Sequence, residues 1–520
     1  MVDVALAGID YLVLGIYIAA LFLVGFYLSR NKAGSQDIFL GGRSLKWWQI
    51  GFSLFSANAG PMSLIGFAAI GFSQGVVGSN FEWLAWIFIM LLAMFFLPHY
   101  LSTKVSTMPQ FLLLRFGKRS YNFLIVYSLV SILVVWLGSA LYAGGLIISQ
   151  IFNWPLMRSV VLVAIIASSF TTVGGLKAVV RTGIFQSLII IFSSLMITYL
   201  AFKEIGGASK LIHSVPADYW KLFRPASDPE YSWIAILAGY PVVAIYYWCA
   251  DQTIVQKVLA AENIKEGQYG AMFIAVLKII MPLIFVFPGI MCFALYRDVA
   301  QPDNAYITLI KELMPHGLLG LCVAALIAAL IDTVSAGLNS FSTVFTLDVV
   351  AQMKPMDEPA KRKIGRILTV VATLLAVGIA YLFSHSGKDF FELSQGLVSI
   401  LAPPLSVVFL GGIMWKRMNS VAAEVVLYGG GMVCLVVGSC HVLSFPSKEF
   451  WPHFLLLSVY LFLALAAICV VVSLCTKPDP HRSLPSLIET NAKAGHRSRS
   501  VWMGWILLAI VMVIIYFIFN

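Results

Sequence analysis

Charge is scarce in this chain. Lys, Arg, Asp and Glu make up 11% of its 520 residues, where a soluble domain carries about a quarter. Apolar residues fill the deficit, at 60%, which excludes a nuclease, a dinucleotide-binding dehydrogenase or a secreted disulfide scaffold as the main body. Cysteine offers no alternative chemistry. The seven, at 249, 292, 322, 434, 440, 469 and 475, form no CxxC pair and no His/Cys spacing, so they read as small hydrophobes and no zinc site is expected. A phosphate-binding glycine loop, a nucleophile elbow and a paired His/Asp metal set are also missing, so the chain is not expected to be an enzyme. No Asn-x-Ser/Thr sequon occurs, which favours a bacterial inner membrane over an animal plasma membrane. The longest polar stretches, 203–231 and 476–500, are too short for a separate aqueous domain.

Long apolar runs are what the chain has instead. A bilayer-spanning helix needs about 20 mostly apolar residues. Runs bounded by charges, Gly/Pro turns or polar loops predict about fourteen helices, at 9–29, 48–72, 80–100, 121–146, 159–175, 183–202, 232–251, 267–296, 316–348, 367–385, 390–414, 420–441, 452–475 and 501–519. Asp3 and Asp10 precede the core of the first run, and Arg30 and Lys32 follow it. It reads as a retained span with its N-terminus outside, not a cleaved signal. Loops 30–47, 101–120, 176–182, 252–266, 349–366, 415–419 and 476–500 hold 24 of the 34 Lys and Arg residues, and the opposite loops hold nine. This asymmetry predicts an all-α polytopic membrane protein with both termini extracytoplasmic. The net charge of +10 punctuates loops and forms no basic face, so no nucleic-acid partner is expected. The basic, Pro- and Ser-rich linker is expected to meet anionic membrane lipid.

Two spans are interrupted. Gly60-Pro61 lies in the middle of the second, where Pro61 lacks an N–H and clashes with the carbonyl of Ala57, so the backbone should open. An opened backbone at membrane depth must face protein or a water-filled cavity. Gly239-Tyr240-Pro241 interrupts the seventh, five helices later. Matched interruptions in two five-helix halves point to a transporter's midplane site, and because five is odd the halves are inverted. The expected organisation is a first extra helix in 1–30, repeats over 47–204 (helices two to six) and 232–416 (helices seven to eleven), and further helices over 420–520 with a cytoplasmic linker at 476–500.

Ionisable residues inside spans are functional candidates, since each costs about 2.5–3.5 kcal/mol at the bilayer centre. Glu82, Asp251, Lys278 and Asp332 stand out. Lys278 and Glu82 either neutralise each other or present a donor and an acceptor to a neutral polyol. Asp251, at the end of the seventh helix, is expected to pair with a loop base. Asp332 sits mid-helix beside Thr333, as a ligand for a hard cation or as a protonated acid bonded to a carbonyl.

The residues themselves then show a resemblance. Trp47-Trp48-Gln49-Ile50-Gly51 with Ser53-Leu54-Phe55 and Asn58, Phe81-Glu82-Trp83, and the specific block Tyr246-Tyr247-Trp248-Cys249-Ala250-Asp251-Gln252 resemble the sodium/solute symporter family. Its sodium/glucose cotransporters are the nearest in likeness. Asp37 with Phe39-Leu40-Gly41-Gly42-Arg43, Gly174-Gly175-Leu176, Asn339-Ser340 and Pro403-Pro404 continue the match in order to about residue 417. The resemblance implies a LeuT-like 5+5 inverted repeat and alternating access. It also implies sugar contacts at Asn58, Glu82, Lys278 and Gln395, with Ser63 a neighbour of that site. Tyr247 and Trp248 would close the inner side. Hydroxyls need both donors and acceptors, and an aromatic face suits the C–H side of a pyranose. For sodium, the coupling ion, it implies Ser56, Ala59, Ala329, Asp332 and Thr333.

The sequence departs from the family pattern at Asp332, where a hydroxyl residue is usual, and at Gly183, where many relatives carry an Asp. It departs again at Trp136 and Ala140, and at Ser63, Ala244 and Val398 near the sugar. The expected function is sodium-coupled import of a hexose such as glucose or galactose. The alternatives are another solute (myo-inositol, a sialic acid or an organic acid) and a non-transporting sugar sensor on the same scaffold.

Overall fold

The computed structural model describes residues 6–29, 40–60, 62–385, 390–447, 449–479 and 499–519. Pro61, Asp37, Phe39 and most of the 476–500 linker lie outside the described residues. Within them the backbone is helical or turning, with only two isolated bridge pairs, Leu45 with Ala261 and Arg224 with Ser232. The main elements are α1 (Gly8–Ser29), α2 (Trp47–Asn58), α3 (Ser63–Ser102), α4 (Lys118–Phe152), α5 (Leu156–Ile205), α6 (Ala235–Ala250) and α7 (Gln252–Leu259). They continue with α8 (Ile264–Leu295), α9 (Leu318–Val344), α10 (Glu358–Ser384), α11 (Phe390–Met414), α12 (Ser420–Val442), α13 (Phe454–Cys475) and α14 (Arg499–Ile518).

Ten helical segments among the described residues are long and apolar enough to cross a membrane, and three shorter apolar helices accompany them. Set against the separate runs of the sequence, these segments count the second and third together. Between the expected second and third spans the helix stops at Gly75, at φ 76°, ψ −148°, and after a tight turn over Gly75–Ser79 a second helix begins at Asn80, so α3 comprises two helices on either side of that turn. Helical backbone is found across the expected 176–182 loop, but a straight helix of this length would span about 75 Å, so the segment bends back on itself. The resulting 50-residue α5 goes out and returns. Gln150, just before it, bonds Asn304 at 2.9 Å, and Ser194, in its second half, bonds Tyr306 at 2.8 Å.

The backbone breaks where a site needs it. α2 ends at Asn58, Ala59 leaves the helix at φ −77°, ψ 44°, and helix resumes with a wide π-turn over Met62–Gly66. The second break is displaced from its expected place. At Gly239-Tyr240-Pro241 a π-turn over Ala235–Gly239 skips a hydrogen bond, which absorbs the missing N–H of Pro241, and the helix carries on. The chain opens instead at Asp251, at φ −68°, ψ 126°, after another π-turn over Tyr246–Ala250.

The expected 252–266 loop is in fact helical over its first half. Residues Gln252–Leu259 form α7, and Gln252, Thr253, Gln256 and Lys257 are all buried. α7 is buried in protein rather than in lipid, so its polar side chains are tolerated where they find partners.

α9 lies at the centre, with 89% of its most apolar stretch buried, against 28% for α10 and 22% for α14, whose outer faces are left for lipid. α8 lies against α2 and α3. A Cβ on Gly289 of α8 would sit 1.9 Å from the Ala68 carbonyl oxygen, and one on Gly71 of α3 would sit 2.1 Å from that of Val286. The two backbones therefore touch directly. The end of α14 covers one flank of the assembly. Phe519 O accepts the N–H of Leu222, Tyr516 stacks on Phe223 at 5.4 Å, and the Phe519 ring lies 5.5 Å from Trp83.

Candidate functional site

The break after Asn58 and the π-turn after Ile245 face each other across a cavity of about 130 Å³. Asn58, Ser63, Glu82, Tyr247, Trp248, Lys278 and Gln395 all line it, so every residue expected at the sugar comes together from α2, α3, α6, α8 and α11.

The polar groups form one chain of hydrogen bonds. Lys278 Nζ donates to Glu82 Oε2 and to Asn58 Oδ1, each at 2.5 Å, and Asn58 Nδ2 donates to Tyr247 Oη at 2.9 Å. Glu82 and Lys278 are each only 2% exposed. Glu82 is thus not an interfacial carboxylate reaching for water, and the ion pair is buried. The neighbouring residues repeat the link, since Trp83 Nε1 donates to Ile279 O at 3.2 Å. The Lys278 ammonium also lies 5.1 Å over the Trp248 ring, a favourable cation–π placement. Ser63 is turned to the backbone, its Oγ donating to Asn58 O at 2.5 Å.

One wall was unforeseen as a working part. Trp136 stacks on Tyr247 at 5.7 Å with planes 21° apart, and Tyr247 meets Trp248 edge-on at 5.2 Å. Ala140 sits beside them in the lining. At the two positions noted as departures on the fourth helix, an indole and a methyl group therefore enlarge the apolar face.

Asp251 does not pair with a loop base. Its Oδ1 accepts the N–H groups of Thr253 and Ile254, capping α7, while Oδ2 accepts from Trp136 Nε1 at 3.1 Å and Tyr246 Oη at 3.2 Å. This carboxylate pins the hinge beneath the cavity. Asp251→Ala leaves the indole and two amides without acceptors, at about 1–3 kcal/mol each. A clearly lowered melting midpoint is expected in detergent. Asp251→Asn, which keeps a capping oxygen, is expected to recover part of it.

Below the cavity the five expected sodium positions face each other across α2 and α9. A Cβ on Gly60 would be 2.5 Å from Thr333 Oγ1, so the opened backbone abuts that hydroxyl, which itself donates to Ala329 O at 2.9 Å. A Cβ on Gly183 would meet Ser56 Oγ at 2.7 Å and Asp332 Oδ1 at 3.0 Å. Ser56 and Asp332 thus share one small space into which only a residue without a side chain fits. Asp332 Oδ2 is buried and accepts no hydrogen bond. Ala59 and Ala329 are fully buried beside these groups. Hydroxyl, carbonyl and carboxylate oxygens are the donor set a hard monovalent cation takes. Sequence reasoning missed Lys257, which it counted as a loop base. Its side chain is 1% exposed and its Nζ lies 4.0 Å from Asp332 Oδ2. Among the described residues, no group of three or more His, Cys, Asp and Glu could hold a multivalent metal.

Comparison with known proteins agrees with this geometry. The model of the sodium:solute symporter family matches residues 38–430. The chain is 33% identical over 456 residues to a sodium/glucose cotransporter of Vibrio parahaemolyticus, covering 81% of this chain and 83% of that one. It is 31% identical over 527 residues to sodium/glucose cotransporter 1 of Sus scrofa, covering 91% and 79%. Among solved structures, a sodium-coupled sialic acid symporter in a substrate-bound outward-open state matches with a TM-score of 0.80 at 22% identity, covering 91% of this chain and 99% of the other. That likeness gives the fold, a LeuT-like arrangement of helices.

Proposed function

The chain belongs to the sodium:solute symporter family, and from that premise we propose that it imports a hexose such as glucose or galactose, driven by sodium through alternating access. It is a multi-pass membrane protein that moves sodium with a small solute; the choice of hexose rests on the cavity. The carrying observation is the linked set Glu82–Lys278–Asn58–Tyr247 set against Trp136 and Trp248. It offers an acceptor, a donor, an amide and a phenol to hydroxyl groups, with net charge zero across the ion pair and an aromatic face for a ring's C–H side. A neutral polyol suits such a site. Gln395 would complete the sugar contacts. Sodium would be held at Ser56, Ala59, Ala329, Asp332 and Thr333.

Repeats over 47–204 and 232–416 would move as the inverted halves. Sodium joining α2 to α9 would favour the outward-open form, and sugar would let the gate at Tyr247 open inward once the outer side has closed. One sodium moving through about 100 mV contributes about 2.3 kcal/mol, and a tenfold gradient about 1.4 more. Together these sustain roughly 500-fold accumulation of a neutral solute, so one ion suffices. A bacterial inner membrane with both termini outside is the location we propose.

The test is uptake of labelled glucose and galactose into proteoliposomes under an inward sodium gradient, with potassium as control. Sodium-dependent accumulation is expected, with Glu82→Gln weakening it at least tenfold by removing an ionised acceptor. Sodium binding without accumulation of either hexose would reject the hexose. Sugar-evoked current without accumulation would indicate a sensor.

A further inference from the structure

Lys257 has no place in the cavity, yet it is aimed at the ion's site. Its Nζ donates to Ser53 O at 2.5 Å, on the turn of α2 where Ser56 Oγ donates to the same carbonyl at 3.1 Å. From there it faces Asp332 Oδ2 at 4.0 Å. That spacing is an attraction between charges and not a hydrogen bond. Oδ2 is left with unfilled lone pairs in a buried site, although a buried carboxylate ordinarily gathers donors. An unpaired buried ammonium would cost several kcal/mol, so Lys257 needs Asp332 as counter-ion. The absence of a side chain at Gly183 is what makes room for that carboxylate.

We propose that Lys257 is an internal competitor of sodium for Asp332. With the ion absent, the ammonium neutralises the carboxylate across the α7–α9 gap. When sodium binds among Ser56, Asp332 and Thr333, it takes over that charge and weakens the hold of α9 on α7. α7 begins at the Asp251 hinge directly after Tyr247 and Trp248. Ion occupancy is thereby transmitted to the inner side of the cavity by electrostatics, without the ion touching it. This rests on the sodium positions given under the proposed function, and a purely structural ion pair would show a different signature.

The experiment is sodium binding to the purified full chain, read without sugar by radiolabelled sodium and by tryptophan fluorescence, beside thermal melting. Lys257→Gln is expected to raise sodium affinity about tenfold or more, since it removes a positive charge facing the same carboxylate. Lys257→Arg is expected to stay near wild type. Asp332→Ser, which leaves the ammonium unopposed, is expected to abolish measurable binding, and adding Lys257→Gln to it should restore binding. Should Lys257→Gln not fold, Asp332→Ser/Lys257→Gln carries the test, because it buries neither charge. It is expected to bind sodium within about tenfold of wild type, and no binding by it overturns the proposal. Lowered melting with sodium affinity unchanged in Lys257→Gln means a structural pair and also overturns it. If Asp332→Ser leaves affinity unchanged as well, the sodium positions themselves are wrong. If only Asp332→Ser lowers it, the positions stand and the competition alone fails.

Discussion

Lys278→Ala is expected to abolish sodium-driven accumulation of hexose, lowering uptake at least a hundredfold. The substitution leaves Glu82 as a buried charge without its partner and takes a donor from Asn58 Oδ1. Breaking a buried pair in this way costs about 3–5 kcal/mol, a factor of roughly a hundred to several thousand if it falls on binding. Part of that cost falls on folding. Lys278→Met combined with Glu82→Gln separates the two effects, because the double variant is neutral and close in volume. It is expected to melt near the wild type and still fail to bind sugar. Sugar affinity by calorimetry, read beside melting, checks this. Near-normal sugar affinity in the double variant would mean that the pair is structural and that hydroxyl recognition lies elsewhere.

Gly289→Ala is expected to have the largest effect on the fold. The added methyl would stand 1.9 Å from the carbonyl oxygen of Ala68 and 2.8 Å from the nitrogen of Phe72. Those neighbours are backbone, so no rotamer change relieves the contact and the helices must part. Overpacking costs about 1–3 kcal/mol even where side chains can yield, and more is expected here. Gly378→Ala on α10 is the control, since a Cβ there meets nothing within 4 Å. It is expected to leave melting unchanged. Because Gly289 lies on the helix of Lys278, weaker sugar binding should accompany the loss of stability in Gly289→Ala.

The site was more legible in the sequence than its surroundings. A charge inside an apolar run is conspicuous because lipid penalises it, and Glu82, Asp251, Lys278 and Asp332 all prove to be buried. The break after Asn58 was legible for a similar reason, since Gly-Pro in a span has few other uses. Lys257 was hidden because hydropathy compares a segment with lipid, whereas α7 is enclosed by protein. Gln252-Thr253 and Gln256-Lys257 therefore read as loop. The displaced second break has its own cause. Pro241 marks where an N–H is missing, but a π-turn accommodates it, and the opening at Asp251 depends on a side-chain cap that composition does not report. The partner of Asp251 was misassigned because a carboxylate at a helix end has both bases and amides within reach, and only the fold decides between them. The continuity of α5 was illegible because the basic residues of 176–182 marked a side of the membrane without marking a change of backbone.

The position of α14 bears on how the molecule is made. Its end supplies Phe519 and Tyr516 to Trp83, Leu222 and Phe223, groups that leave the ribosome several hundred residues earlier. The segments that carry Glu82 and Lys278 are therefore synthesised well before the flank beside Trp83 can gain its cover. Until α14 arrives, that flank is an apolar surface open to lipid or to a chaperone. Insertion of the early helices and covering of that flank are thus separate events in the life of a nascent chain. A translation intermediate halted ahead of residue 499 would leave Trp83 and Phe223 without the aromatic cover of Tyr516 and Phe519.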